Sequence, residues 1–219
     1  MSPRHHPASA LLLDYAARTA NAEHTRVLAA HVMCCPSCQA EVALAERIGG
    51  EVLEALTPAP MAADALDRAL AALDRQAAAS PAEDRPVPQD PILEGWIAVP
   101  PEVAQAAVRR RRWAAPGVWV APISHDRASG RRSYLLRVGP GMVVPHHGHR
   151  GDELTVILKG GFRDGESGFD AGDFALVGEA VEHHPQATAE SECICLIAAD
   201  APLIPLDWVG RMFQPFVRI

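Results

Sequence analysis

Residues 145–153 read Pro145-His146-His147-Gly148-His149-Arg150-Gly151-Asp152-Glu153, and a further His183-His184 pair follows downstream. On an extended segment, His147 and His149 project to one face and His146 to the other. Glu153 lies four residues on, and His183 on a later strand closes the set. Three neutral imidazoles and a carboxylate suit Zn, Fe, Mn, Ni or Cu, and these residue types do not choose among them. By alternation His146 and His184 point away from the cluster.

The sequence around this cluster has a period of two. Gly117–Ile123, Ser133–Val138, Leu154–Leu158, Phe174–Val177 and Cys193–Ala198 are short β-rich runs punctuated by Gly, Asp and Pro. Many short strands with frequent turns predict a small β-sandwich or barrel. Upstream the pattern is helical. Ala8–Ala20, Glu23–Met33, a helix opened by Pro36 and running to about Leu56, and Met61–Ala79 predict four helices. Gly49-Gly50 is expected to weaken or kink the third. The fourth carries Leu66, Leu70 and Leu73 on one stripe. Between the two regions Ser80–Pro91 holds Pro81, Pro86, Pro88 and Pro91, a composition that suits neither a helix nor a central strand. The expected organisation is α+β in two domains: a helical unit over residues 1–80, a linker over 81–94, and a β-barrel over 95–219 that ends in a short amphipathic tail helix, Leu206–Phe216.

The helical unit carries a second ligand set, His31-x3-Cys35-x2-Cys38. Cys35 and Cys38 bracket Pro36-Ser37 at the start of the third helix, where the helix dipole favours thiolate. Two thiolates and one imidazole give three ligands for tetrahedral zinc, and His5 or His6 supplies the fourth if the N-terminal arm folds back. No βαβ pattern surrounds the Cys-x2-Cys pair, which disfavours a thioredoxin-like redox motif. Cys34 is a spare thiol or a competitor of Cys35. Cys193 and Cys195, at i and i+2 on a strand, point the same way and are poorly placed for a bridge.

Composition narrows the function classes. The chain has 219 residues, 48% apolar and 21% charged, with a net charge of -7 and five cysteines. That acidic balance argues against a nucleic-acid binder, and Arg109–Arg112 before Trp113 reads as a solvated face. No apolar run is long enough to span a membrane, and the first residues do not read as a signal peptide. A cytoplasmic protein is expected, where clustered cysteines point to metal binding before disulfides.

The spacing Gly141-x5-His147-x-His149-x3-Glu153-x6-Gly160 matches the first cupin motif at every fixed position. The second motif keeps Gly172 and His183, while Gly178, Ala180 and Ala187 stand where Pro, Gly and Asn are usual. The chain thus resembles a cupin over about Gly95–Ala201. A four-helix unit with His and Cys-x2-Cys ligands followed by a cupin resembles the ChrR family of zinc-binding anti-sigma factors over nearly the whole chain. That resemblance implies a jelly-roll barrel, and a helical domain that clamps an extracytoplasmic-function (ECF) sigma factor and keeps it from core RNA polymerase. It implies a cupin domain needed for the response to singlet oxygen or related oxidants. By the same resemblance the anti-sigma zinc ligands are His6, His31, Cys35 and Cys38, and the cupin zinc ligands are His147, His149, Glu153 and His183. It also places a close cysteine pair where Cys193 and Cys195 stand. The competing expectation is a dioxygenase-like cupin metalloenzyme with a regulatory helical appendage. The anti-sigma reading expects a 1:1 sigma complex, no catalytic residues and no direct contact with nucleic acid or membrane.

Overall fold

The fold is that of a computed structural model, which describes residues 2–79, 90–179 and 181–205. The expected tail helix lies outside the described residues, as does all of the Pro-rich stretch except Asp90 and Pro91. Four helices come first: α1 (Ser9–Ala16), α2 (Ala22–Cys34), α3 (Pro36–Glu54) and α4 (Ala65–Ala79). A fifth, α5 (Pro101–Arg109), opens the β region. Eleven strands follow among the described residues: β1 (Arg112–Ala115), β2 (Val118–His125), β3 (Arg132–Val138), β4 (His147–Gly148), β5 (Glu153–Lys159), β6 (Gly161–Asp164), β7 (Ser167–Asp170), β8 (Phe174–Val177), β9 (Gln186–Ala187), β10 (Cys193–Ala199) and β11 (Ile204–Pro205). They form an antiparallel six-stranded sheet ordered β1-β2-β3-β10-β5-β8, a three-stranded sheet β7-β6-β9, and the pair β11-β4. This is the expected α+β fold with a cupin-like barrel.

Several boundaries differ from the sequence reading. The first helix stops at Ala16, because Arg18 takes a left-handed φ of 58° and Asp14 captures the Thr19 hydroxyl and, through its carbonyl, the Thr19 amide. Gly49 and Gly50 do not interrupt α3, which runs unbroken for 19 residues. Both glycines sit on an open surface where nothing needs a side chain. The fourth helix begins at Ala65, four residues later than Met61. The helix α5 was not expected. Its short amphipathic stretch buries Val103, Ala104, Ala106 and Ala107 after Pro101 at the first turn.

The packing explains why β5 and β10 are apolar on both faces. An antiparallel strand with one wet face alternates apolar and polar residues. On β10 all seven residues are buried, and on β5 only Lys159 is not. Leu154, Val156, Leu158, Ile194 and Leu196 face outward and are covered by Val27, Leu28 and Ala30 of α2, while α5 covers the same sheet with Val103 and Ala107. Ile157, Cys193, Cys195 and Ile197 face the barrel interior with Tyr134 and Val138. A polar tie reinforces the seam: Ser124 of β2 donates to Glu23 (2.9 Å) and accepts from Arg26 (3.0 Å), both on α2. The first helices therefore do not make a self-contained four-helix bundle. α1 and α3 pack together around Leu12, Cys35, Cys38 and Val42, α2 lies on the sheet, and α4 has no buried side chain among its described residues.

Leu28 is fully buried in the helix–sheet seam. Leu28→Ala should lower the unfolding free energy by about 2–5 kcal/mol, the usual cost of a core Leu truncation. Urea denaturation of the full chain checks this, and a loss under about 1 kcal/mol would mean that α2 does not sit on the barrel in solution.

Candidate metal centres

Two groups of ligand atoms converge. In the first, one atom each from His6, His31, Cys35 and Cys38 lies within 4.8 Å of the others. His31 sits in the last turn of α2, and Cys35 is the N-cap of α3 with Pro36 next. This α2–α3 corner places both thiols at the positive end of α3. The arm before α1 folds back so that His6 Nδ1 stands 3.3 Å from Cys35 Sγ and 3.5 Å from Cys38 Sγ, and His31 Nε2 is 3.3 Å from Cys38 Sγ. Donors at ordinary Zn–N and Zn–S lengths around a tetrahedral ion stand about 3.6 Å apart, so the set fits a closed tetrahedral site.

The electrostatics agree. Burial lowers the pKa of His31, partly opposed by its hydrogen bond to Gly172, so the ring is neutral. It donates Nδ1–H to the Gly172 carbonyl at 2.8 Å and leaves the Nε2 lone pair for the cluster. Burial, together with the neighbouring Cys35, raises the Cys38 thiol to about 12. Burial also acts upward on Cys35, but hydrogen bonds from the Cys38 and Ser37 backbone and the Ser37 hydroxyl bring it below its ordinary value. Two sulfurs and two imidazole nitrogens in this geometry are a donor set for a soft divalent cation.

The second group is His147, His149, Glu153 and His183. His147 lies on β4 and pairs across a bridge with His183, while Glu153 opens β5. His147 donates Nδ1–H to the Pro145 carbonyl (2.7 Å), and His183 donates Nδ1–H to Asp164 (2.9 Å). Their Nε2 atoms therefore face each other at 2.8 Å, and His149 Nε2 stands 3.0 Å from that of His183. Unprotonated nitrogens so close repel unless they share a cation. Donors about 2.05 Å from an ion and at right angles stand about 2.9 Å apart, so this set suits an ion with further positions open. Burial lowers His147 and His149 to about 4 and raises Glu153 to about 8. All three shifts come first from burial, which favours the neutral form of each group.

The structure brings every expected site residue into one cluster or the other. His6 enters the first, whereas the His5 ring turns to Asp173 at 3.1 Å. Cys34 stays outside, its thiol bonded to the His31 carbonyl. His146 and His184 stack outside the barrel cluster, as alternation predicts. Cys193 and Cys195 lie side by side, Sγ to Sγ 3.5 Å, in the barrel interior, where they line the same cavity as His147, Glu153 and His183 without joining the ligand set. Sequence reasoning missed Asp164, Gly172 and Asp173. Asp164 sits at the end of β6 and reaches His183 only through the β6–β7 hairpin. Gly172 acts through its carbonyl, which no residue pattern reports.

Comparison with known proteins places this arrangement. A profile described as the ChrR cupin-like domain matches residues 101–201. Over its whole length the chain is 36% identical to the full Anti-sigma-E factor ChrR of Cereibacter sphaeroides. The chain belongs to the ChrR family. The crystal structure of Rhodobacter sphaeroides SigE in complex with the anti-sigma ChrR aligns over 90% of this chain and 99% of that one, with 31% identity and a TM-score of 0.71. An RmlC-like cupin of Ralstonia eutropha JMP134 aligns over 43% of this chain and 63% of its own, with 26% identity and a TM-score of 0.41. No single helix among the described residues of this ChrR-family chain is long and apolar enough to cross a membrane.

The two clusters predict two separable metals. Elemental analysis should find two divalent ions per chain, one lost in Cys38→Ser and the other in His147→Ala or Glu153→Gln. Glu153, neutral at pH 7 in the metal-free chain, must release its proton to bind. Affinity of the barrel site should therefore rise between pH 7 and 8 and then level off as far as this residue is concerned. Calorimetry in buffers of different ionisation enthalpy reads that proton.

Proposed function

We propose that this chain is a cytoplasmic anti-sigma factor that holds an ECF sigma factor in a 1:1 complex and releases it on an oxidative signal sensed through the barrel. Its role is regulatory and not enzymatic. Full-length similarity to an anti-sigma factor, and to the ChrR half of a SigE complex, supports that role over a metalloenzyme with a helical appendage.

The observation that carries the reading is an apolar surface that no other described residue covers. Leu44, Ile48 and Val52 recur every four residues along α3, with Leu56 just past its end, and each is about half or more exposed. Leu66, Leu70 and Leu73, at helical spacing on α4, are as exposed, and α4 buries none of its own described side chains. Exposed apolar stripes of this size mark a protein-binding surface, and amphipathic helices are suited to grooves between partner helices.

In this reading residues 1–80 hold sigma, 81–94 link, and 95–219 sense. The ligands His6, His31, Cys35 and Cys38 hold zinc, a closed thiolate–imidazole site of the structural kind. It fixes the angle at which α3 leaves α2 and so aims the apolar stripe. His147, His149, Glu153 and His183 hold zinc or another divalent transition metal. The signal is singlet oxygen or an organic hydroperoxide, and its effect is a shift between sigma-holding and sigma-releasing populations.

Co-expression with a cognate sigma factor should yield a stable 1:1 complex. Ile48→Asp and Leu70→Asp should each weaken it at least tenfold while leaving both metals in place. Co-purification that brings down no sigma factor with the metal-loaded full chain would remove the proposal. Cys35→Ser should lose zinc and sigma binding together. His147→Ala should keep sigma binding and blunt release by oxidant. Sigma-dependent reporter transcription separates the two phenotypes.

A further inference from the structure

The barrel encloses a cavity of about 390 Å³ that opens onto the His147, Glu153 and His183 side of the metal cluster. That volume is at the small end of ligand pockets, which run about 300–1,000 Å³. At roughly 30 Å³ per non-hydrogen atom, the share of a water in the liquid, it holds about a dozen atoms. Its walls are apolar, with Leu136, Val138, Phe162, Phe169, Ala175 and Ile197 among them, and no Lys or Arg is among the described residues that line it. The ionisable carboxylates and imidazoles of the lining are Glu153, Asp164, His146, His147 and His183, which belong to the metal cluster or stand beside its ligands, while Tyr134, Thr155, Ser167, Cys193 and Cys195 add neutral polar atoms. A phosphate or a second carboxylate on the ligand would find no cation along these walls. An uncharged apolar body with one oxygen donor turned to the metal end is what this lining accepts.

The far side of the same wall touches the helical metal cluster. Phe169 of β7 lines the cavity, stacks on Phe162 and packs its ring 4.5 Å from that of His5, the neighbour of His6. In the turn that follows, Asp173 is buried, and its carboxylate accepts from the backbone amides of Arg4 (2.6 Å) and His5 (3.1 Å). Arg4 also pairs with Asp170. The Gly172 carbonyl accepts from His31, and the Phe174 amide donates to the His5 carbonyl at 3.0 Å. Ala175 then returns to the cavity wall. One seven-residue segment, Phe169–Ala175, thus lines the cavity at both ends and in between holds one ligand of the other cluster, His31, and the backbone just before a second, His6.

We infer that this cavity is a regulatory site for a small uncharged apolar molecule with a single oxygen donor, and that its occupancy changes how firmly the helical cluster holds its metal, through Phe169–Ala175. The inference rests on reading the barrel as the sensor, but needs no sigma factor to be tested.

The test uses the full chain loaded with cobalt(II), whose thiolate absorption reports the Cys35/Cys38 cluster alone, and 1-octanol as the probe. Calorimetry should show saturable octanol binding, weakened at least tenfold in Leu136→Phe, which fills the cavity from a partly exposed position. Transfer of the thiolate-bound cobalt to a chelator should change at least fivefold in rate when octanol saturates the protein. His5→Ala and Asp173→Asn should bind octanol as the parent does and lose most of that rate change. His5 is partly exposed, so its variant reads the coupling even if the Asp173 variant folds poorly. No saturable binding, equal binding in Leu136→Phe, or transfer rates unmoved by octanol would each overturn the inference. Capture of sigma by the octanol-free protein tests the anti-sigma reading separately, so the two fail in different experiments.

Discussion

One buried imidazole ties the helical metal cluster directly to the barrel. His31 is fully excluded from solvent. Its Nδ1–H is spent on the carbonyl of Gly172, a residue of the barrel, and its Nε2 is turned to Cys38. A buried ring with one nitrogen fixed by a carbonyl has only one tautomer left, and that tautomer is the ligating one. The turn that presents the carbonyl is itself constrained. Gly172 has φ +94°, and a Cβ there would lie 3.1 Å from Pro3 and 3.4 Å from the Cys34 sulfur. The glycine is therefore needed twice, once for its backbone angle and once for the close approach of the N-terminal arm. A side chain at this position would push the arm, and His6 with it, away from the thiols.

The helix–sheet seam has a thermodynamic counterpart. Burying a Leu or Val side chain contributes about 1.5–3 kcal/mol, and Val27 and Leu28 of α2 meet Leu154, Val156, Leu158 and Leu196 with almost no exposure. An antiparallel sheet left bare on that side would expose a contiguous apolar face. The helical unit therefore both displays an adhesive surface outward, on α3 and α4, and covers one inward, with α2. These roles fall on different helices, so the outward face can be altered without disturbing the barrel.

How much of this the sequence reveals depends on the range of the interaction. The ligand sets were legible because ligation needs particular side chains at short spacings: His147-x-His149-x3-Glu153 and His31-x3-Cys35-x2-Cys38 each fall within eight residues of chain. The strands β2, β3, β5, β8 and β10 were legible from their composition and turns, the short ones between them were not, and β5 and β10 carried the hint that something covers them, since neither alternates. What covers them was not legible, because α2 reads as an ordinary amphipathic helix whose apolar face fits a sheet as well as a neighbouring helix. The choice between His5 and His6 was open to residue reasoning, and the structure settles the geometry through Asp173, which binds the His5 ring and amide and so turns the next residue inward. Asp164 and the Gly172 carbonyl were invisible for a related reason. Each acts on a histidine far along the chain, through a hairpin or a turn, and no local pattern records such a meeting. Helix ends failed where a local hydrogen bond decided them, as at Asp14 and Thr19.

The two centres differ in a way that suits division of labour. Two thiolates and two imidazoles close a tetrahedron, and such a set leaves no position for an incoming molecule. Three imidazole nitrogens at near right-angle separations, with a carboxylate beside them and an apolar cavity in front, leave positions open. A closed site fixes shape, and an open one responds to what enters. They are not independent, because the segment Phe169–Ala175 belongs to the wall of one and the support of the other. Linkage then imposes a symmetry. If a molecule in the barrel loosens the metal among the helices, that metal must by the same free energy oppose entry of the molecule. A sigma factor that binds only the metal-shaped helices would add to that opposition, so the free chain should be more receptive to its barrel ligand than the sigma-bound one.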